Sequence, residues 1–440
     1  MSEGNTPASS VPRGRLARLA HLGGLAGRVA GGMVAEGMRQ VASGNLPRVA
    51  DLMLQPANAR RVAEKLSELR GAAMKVGQLL SMDAGDILPA ELAAILARLR
   101  AQASPMPMSE LVTVMQDSFG HSWEQHFRHF SFVPMAAASI GQVHAATSQT
   151  DRQLALKIQY PGIGQSIDSD VDNVATLLKV FRLVPDGLDL QPLLQEAKRQ
   201  LHDEADYLLE AEHLRYFATA LEESPEFLVP GIDEDLTREN ILAMDFLEGE
   251  PIESLTTATQ TTRDRVVGLL LELLFRELFE FGMIQTDPNF ANFLYNTTTR
   301  QLGLLDFGAT RRYSVAVIEA YRGLLEAALL EDYAAMSESA QAIGYFKKDI
   351  HAQQRAAVIE LFALTTEPAR TRGRFDFGAS DLAIRIRDAG MALSFGQGYW
   401  HTPPADAIFL HRKLGGLYML AARLGAKVDV RIILERYLYK

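Results

Sequence analysis

Two short polar motifs constrain this 440-residue chain more than any other feature. TDPNFAN carries Asp287 and Asn292 in an Asp-x4-Asn spacing, and 14 residues beyond Asn292 the apolar run QLGLL delivers Asp306 in Asp306-Phe307-Gly308. Taken singly, Asp287-Pro288 reads as a turn and Asp306 as a strand-end cap. The ordered pair asks for more: a carboxylate that aligns a reacting group, and an amide oxygen and a second carboxylate on adjacent loops. Those are oxygen donors suited to a hard divalent cation and its phosphates. Asn292 and Asp306 are therefore the expected magnesium ligands and Asp287 the expected catalytic group. A second Asp-Phe-Gly, Asp376 to Gly378, follows the polar run RTRGR with no Asp-x4-Asn upstream, and reads as a loop.

Upstream, Lys157 lies mid-strand in LALKIQY, where burying an ammonium is costly unless it meets an anion such as phosphate or carboxylate. The following helix, DEADYLLEAEH, offers Glu204, Asp206 and Glu210 as carboxylate partners; the alternative is a solvated acidic face. FSFVPMAAASIGQVHAA and RQLALKIQYPG alternate on either side of a polar turn at Ser148 to Asp151, the pattern of a hairpin. ILAMDFLEGE reads as a buried strand leading to a hinge, where backbone groups of Asp245 and Leu247 would pair with an adenine edge.

With 48% hydrophobic residues the chain can bury a large core in two or three units. Residues 1–14 are expected to be a disordered leader, 15–105 a helical N-terminal extension, 106–247 a small β-containing lobe and 248–440 a helical large lobe. Helices are expected over VDNVATLLKVFRLV and LQPLLQEAKRQLHDEADYLLEAEHLRYFATAL, interrupted at Pro185 to Gly187, and from the region after Thr310 to Lys440. The net charge of −10 argues against nucleic acid as a partner. The absence of cysteine excludes disulfides and thiolate chemistry. No apolar run approaches the ~18 to 20 residues of a membrane span, since Val266 to Phe281 is broken by Glu272, Arg276, Glu277 and Glu280. The Arg-bearing, acid-poor segment Leu16 to Val41 suits an anionic membrane surface, a targeting sequence or an ordinary packing helix.

These motifs together resemble the UbiB-type atypical kinase-like family, the AarF/ADCK branch associated with ubiquinone (coenzyme Q) biosynthesis, over roughly residues 60 to 430. KVGQ, Lys75 to Gln78, is similar to the motif of an N-terminal helix that in the family packs over the active site and reaches toward the nucleotide. AAASIGQVHAA stands where ordinary protein kinases keep a glycine-rich phosphate clamp, with only Gly141 left of that flexibility; Ala137, Ala138, Ser139, Ile140 and Gly141 would line the nucleotide. DEADY matches the family's acid-x-Asp signature. The resemblance implies that Lys75 pairs with Glu204 and Lys157 with Glu210. Many members carry His-x-Asp-Pro-His-Pro-Gly-Asn at the catalytic loop, whereas here Gln285, Asn289, Phe290 and Ala291 fill the variable places, as in the coenzyme Q branch. HRKLGGLYMLAARLGAKVDV, from His411, looks like the family's C-terminal helical signature, expected to pack the large lobe, with no chemistry assigned to it.

The implied fold is α+β: a two-lobed protein-kinase-like fold with the KxGQ helix over the active site. The implied ligands are ATP and magnesium. GATRRYSVAVIEAYRGLLEAALL enters a helix soon after Asp306-Phe307-Gly308, which leaves no segment for docking a peptide. Slow ATP hydrolysis, coupled to a membrane-embedded quinone precursor or to ubiquinone-biosynthesis enzymes, is therefore expected; the alternatives are a protein or small-molecule kinase, or a nucleotide-gated non-catalytic scaffold. The expected location is cytoplasmic, peripheral on the inner membrane, or its matrix side in a mitochondrion.

Overall fold

A computed structural model describes residues 105–180, 191–287, 289–346, 349–393 and 403–439, together with Ala72, Lys75, Val76 and Tyr399. The expected leader, the segment Leu16 to Val41 and Gln78 lie outside them. Two compact units are present.

The first unit comprises residues up to Leu209 together with Ile232–Phe246. Its sheet grows from the hairpin expected around Ser148: β3 (Gly141–Ser148) pairs antiparallel with β4 (Gln153–Gln159), His144 facing Leu156. Asp151 supplies the left-handed residue of the turn (φ 65°). Ser148 Oγ accepts from the amides of Thr150 and Arg152 at 3.2 and 3.1 Å, which holds the turn. The strand order is β1 (Phe127–Phe130), β3, β4, β6 (Ile241–Asp245), with β2 (Ala136–Ala137) added to β3. One face carries the core, where Leu154, Leu156 and Ile158 of β4 pack with Trp123, Phe127 and Leu111. Leu111 belongs to α1 (Met108–Phe119), which stops at Gly120 (φ 85°). The helices α2 (Ile163–Val180) and α3 (Gln191–Glu204) follow.

Residues 190–221, expected as one helix, are two. α3 ends at Glu204, and α4 (Tyr207–Ala220) starts after Asp206, whose Oδ1 accepts the Leu209 amide at 2.9 Å. An aspartate that bonds the backbone three residues on is an N-cap, and it competes with helix continuation.

The second unit comprises Glu210–Gly231 and Leu247–Lys440, so residues 210–231 group with it. At its centre α5 (Gln260–Arg276) buries Val266, Val267, Leu269 to Leu271 and Leu273 to Phe275. Burial on nearly all sides is what a core helix requires. It widens into a π turn, Glu277–Phe281, that ends at Gly282 with φ 61°. Such turns are frequent at functional positions, and the Asp287 motif lies directly downstream of this one.

A four-stranded sheet orders β5 (Phe227–Leu228), β10 (Gln301–Leu304), β9 (Phe293–Asn296) and β7 (Glu250–Pro251). β8 (Met283–Gln285) pairs with β11 (Thr310–Arg312). Beyond it run α6 (Val315–Leu329), α7 (Tyr333–Ile343), α8 (Ala352–Thr365), α9 (Glu367–Arg370), α10 (Leu382–Met391), α11 (Ala405–Leu424) and α12 (Val430–Leu438). Two points correct the sequence reading. The region after Thr310 is not wholly helical, since it also holds most of β11, β12 (Phe375–Asp376) and β13 (Lys427–Val428); strands of two or three residues are too short to show a period of two. The second Asp-Phe-Gly is not a free loop: Asp376 lies in β12, paired with Lys427 by the ladder and by a 2.8 Å ion pair, with Phe375 and Phe377 buried. Its role is structural, as a staple for the C-terminal helices.

Candidate functional site

In the first unit the site residues gather around β4. Lys157 sits at the centre of the sheet, opposite Val143 on one side and Leu242 on the other. It is 7% exposed, and its ammonium lies 5.3 Å from the ring centroid of Tyr207, the first residue of α4. Two residues on, facing the same way, Gln159 donates to the Ala205 carbonyl at 2.7 Å. This bond ties the Lys157 face of the sheet to the break between α3 and α4. Glu204 and Asp206 flank that break. Lys75 donates to Glu204 Oε1 in an ion pair whose side chains are 5% and 11% exposed. Asp206 is engaged as the helix cap described above. The pairing is one that the sequence suggested only through resemblance.

The alanine-rich segment forms a tight hairpin. Ala136 and Ala137 of β2 pair with Val143 and Gln142, and the Ala138 amide donates to the Gly141 carbonyl at 2.9 Å. Ala137 and Ser139 are exposed and Ala138 is half-buried, whereas Ile140 is buried and its carbonyl accepts the Tyr160 amide at 3.0 Å. Gly141 departs from the reading given to it. A Cβ there would stand 2.2 Å from the Ile158 carbonyl oxygen, so the glycine allows close contact with β4 rather than a flexible clamp.

Behind this loop, His144 Nδ1 donates to the Ser131 carbonyl at 2.7 Å, so its Nε2 accepts from the Gln142 amide nitrogen at 2.8 Å. Gln142 Oε1 in turn accepts the Met106 amide at 2.9 Å. Burial pushes the His144 pKa below its ordinary value, partly opposed by the bond to Ser131. GQVH is thus a satisfied buried chain that fixes the loop's base.

Asp245 closes β6. Phe246 donates to the Gln153 carbonyl at 2.9 Å, so by the alternation of an antiparallel ladder the backbone groups of Asp245 face away from β4. Its carboxylate is held by Arg152 at 2.6 Å. Leu247 is half-buried in the second unit.

In the second unit, hairpin register explains the spacing of the two motifs. β9 and β10 pair Phe293 with Leu304, and one step further the Leu305 amide donates to the Asn292 carbonyl at 2.9 Å. Asn292 and Asp306 therefore leave the same end of one hairpin. Asn292 Nδ2 donates to Asp287 Oδ2 at 3.3 Å, which leaves its amide oxygen as the donor for a cation. Asp306 Oδ1 accepts the Gly308 amide at 3.0 Å. The donor set is oxygen only, which fits magnesium. Among the described residues no cluster of three or more His, Asp or Glu could hold a metal alone, so an ion here would complete its shell with phosphate and water.

The Asp-Phe-Gly backbone is clamped from α4. Glu210, fully buried, accepts the Phe307 amide at 3.3 Å, and His213 Nδ1 donates to the Phe307 carbonyl at 3.1 Å. The Phe307 ring packs on Phe217 at 4.6 Å. Residues 210, 213 and 217 recur at helical spacing, a signal visible in the sequence that carried no weight without its partner.

The residues that sequence reasoning missed lie in the tail. α11 brings Arg412 to Asp287, Nη2 to Oδ1 at 3.8 Å. The adjacent Lys413 pairs with Glu277 of the π turn and donates to the Gln285 carbonyl at 2.8 Å. The Thr286 hydroxyl donates to the Ala309 carbonyl at 2.6 Å. The strand entering the Asp287 loop is thus fixed by a buried lysine, and its aspartate faces an arginine.

Comparison with known proteins places this geometry. The ABC1 atypical kinase-like domain family matches residues 98–340. The chain is 38% identical to "Atypical kinase COQ8, mitochondrial" of Saccharomyces cerevisiae, over 98% of this chain and 87% of that protein. It is 35% identical to "Atypical kinase COQ8B, mitochondrial" of Rattus norvegicus, over 97% and 80%. "Probable protein kinase UbiB" of Cellvibrio japonicus matches at 29%, over 58% of this chain and 48% of that one. Among solved structures, Rv3197 of Mycobacterium tuberculosis, determined in complex with erythromycin, superposes with a TM-score of 0.60 at 25% identity, over 87% of this chain and 96% of that one. The chain belongs to the ABC1 atypical kinase-like family, in its UbiB/ADCK group, and its α+β fold is the two-lobed kinase-like one.

Proposed function

We propose that the chain binds magnesium ATP and hydrolyses it slowly in support of ubiquinone biosynthesis, acting on or beside membrane-embedded quinone precursors or their enzymes. The observation that carries this reading is the Asp287–Asn292–Asp306 group at the end of one hairpin, with Arg412 on Asp287. Lys157 would meet phosphate oxygens, with Glu210 as its carboxylate partner, and Asn292 and Asp306 would hold the metal. Magnesium, when bound, would neutralise charge developing on the transferred phosphoryl group. Asp287 would orient a water, and the attraction of Arg412 would keep its carboxylate in place.

The hydrolytic reading rests on the chain beyond Gly308. β11 and the Ser314 cap of α6 come at once, leaving no segment to support a peptide. Ala137, Ala138 and Ser139 would approach the nucleotide less closely than glycines do, consistent with slow turnover. Lys75, Gln78, Glu204 and Asp206 would regulate access, and Asp245 and Leu247 would take the adenine. Relatives named mitochondrial suggest a place on the inner mitochondrial membrane, on its matrix side, or on its bacterial counterpart. No helix among the described residues is long and apolar enough to cross a membrane, so attachment by such a helix is not part of the proposal.

Phosphate release from magnesium ATP by the full chain, with and without liposomes, tests this reading. Asp306→Asn should lower release by roughly 100-fold, a typical loss when one electrostatic partner of the transition state is removed. Liposomes should raise the parent rate. A parent that binds nucleotide but releases no phosphate would favour the kinase or scaffold alternatives.

A further inference from the structure

The helices of the second unit line a cavity of about 320 Å³. α5, α6, α8, α10, α11 and α12 supply its wall, which holds none of Asp287, Asn292 and Asp306 and, among the described residues, no Asp, Glu, Lys or Arg. The polar groups in the wall are bonded to one another. Tyr321 and Tyr345 share a hydrogen bond of 2.8 Å, and the Tyr345 hydroxyl lies 2.5 Å from His411 Nε2. Tyr418 donates to the Thr365 carbonyl at 3.1 Å, and Thr366 to the Phe362 carbonyl at 2.9 Å. Burial pushes the His411 pKa down to about 4, so its ring is neutral near pH 7. Water entering such a space finds few of the partners it needs.

A second observation comes from Gly415, inside α11 and on the cavity wall. Glycine is the least favourable ordinary residue in a helix interior, short of proline. No packing requires it here: a Cβ would meet no atom within 4 Å. The glycine leaves volume open that an alanine or leucine would begin to fill.

We propose that this cavity is a binding site for an uncharged, hydrocarbon-rich molecule of about a dozen heavy atoms with at most one hydroxyl. Its size is roughly twice the ~150 Å³ that accepts a benzene ring. The apolar body would cover the leucine-lined wall, and a hydroxyl would reach the Tyr345–His411 pair, whose rings stack at 5.3 Å. A charged head has no counter-ion there and is excluded. The same chemistry describes a free small molecule and the end of a lipid chain.

Calorimetric titration of the full chain with 1-decanol and with decanoate tests the proposal. Decanol should bind saturably, one to one, and decanoate at least tenfold more weakly. Gly415→Leu should weaken decanol at least tenfold without lowering the melting temperature, and Gly415→Ala should do less. Nuclear Overhauser contacts from decanol methylenes to His411 and Tyr345 ring protons in the parent read the same site should Gly415→Leu fail to fold. Competition by phosphatidylcholine vesicles would identify a lipid chain as the source, and its absence a free molecule. Non-saturable binding, equal affinity for decanoate, or full affinity in folded Gly415→Leu would overturn the proposal. Gly415 lies outside the phosphoryl-transfer group, so this result is independent of phosphate release.

Discussion

Arg412 stands 3.8 Å from Asp287 with a side chain only 8% exposed, too far for a hydrogen bond but close enough to hold a carboxylate in one rotamer. In the proposed reaction it would be a positioning residue. Arg412→Ala should lower kcat for phosphate release roughly tenfold and leave the KM for ATP nearly unchanged, with partial recovery in Arg412→Lys. A change confined to KM would place it in ground-state binding instead. Its neighbour gives a pH-dependent expectation. Burial pushes the Glu277 carboxyl from 4.5 up to about 7, against the pull of Lys413. The native state then keeps a proton that the unfolded chain releases, so this contribution to stability is complete below pH 4.5 and is lost as pH rises through about 7. The melting temperature should fall across that window more steeply in the parent than in Glu277→Gln; parallel slopes would remove Glu277 as the origin. Neither residue was legible beforehand, because Arg412 and Lys413 sit more than a hundred positions from their partners and look like an ordinary basic helix turn.

At the scale of elements, each unit holds candidate site residues on a hairpin; the first hairpin could be read in the sequence, and of the second only the strand QLGLL. Ser148 to Asp151 announced the β3–β4 turn, and QLGLL announced the strand that returns Asp306 to Asn292. The break between α3 and α4 could not be read, since Glu204 and Asp206 lie in a run with full helical periodicity and only the cap at Asp206 reveals it. That cap is testable. Asp206→Ala should cost about 1 kcal/mol in denaturant unfolding, and Asp206→Asn much less, because asparagine caps equally well. Equal losses in the two variants would mean that the charge, not the cap, stabilises the junction. Gly141 teaches a related lesson. Its position in a loop motif suggested flexibility, but the Ile158 carbonyl 2.2 Å from an added Cβ shows that it serves packing. The short strands β12 and β13 escaped notice because two residues show no period.

For the whole molecule, the family and the α+β kinase-like fold emerge from motifs spread along nearly the full chain. The proposed chemistry would draw on residues of both units: Lys157 in one, Asn292 and Asp306 in the other. The proposed reading requires them to serve one magnesium nucleotide. The most direct measurement is calorimetric ATP binding to the full chain in magnesium and in EDTA, for the parent, Lys157→Met and Asp306→Asn. Magnesium should tighten ATP binding at least tenfold in the parent; Asp306→Asn should abolish that gain while retaining metal-free binding, and Lys157→Met should weaken binding in both conditions. An undiminished magnesium gain in Asp306→Asn would contradict the assignment of Asp306 as a metal ligand, and with it the proposed phosphoryl-transfer centre.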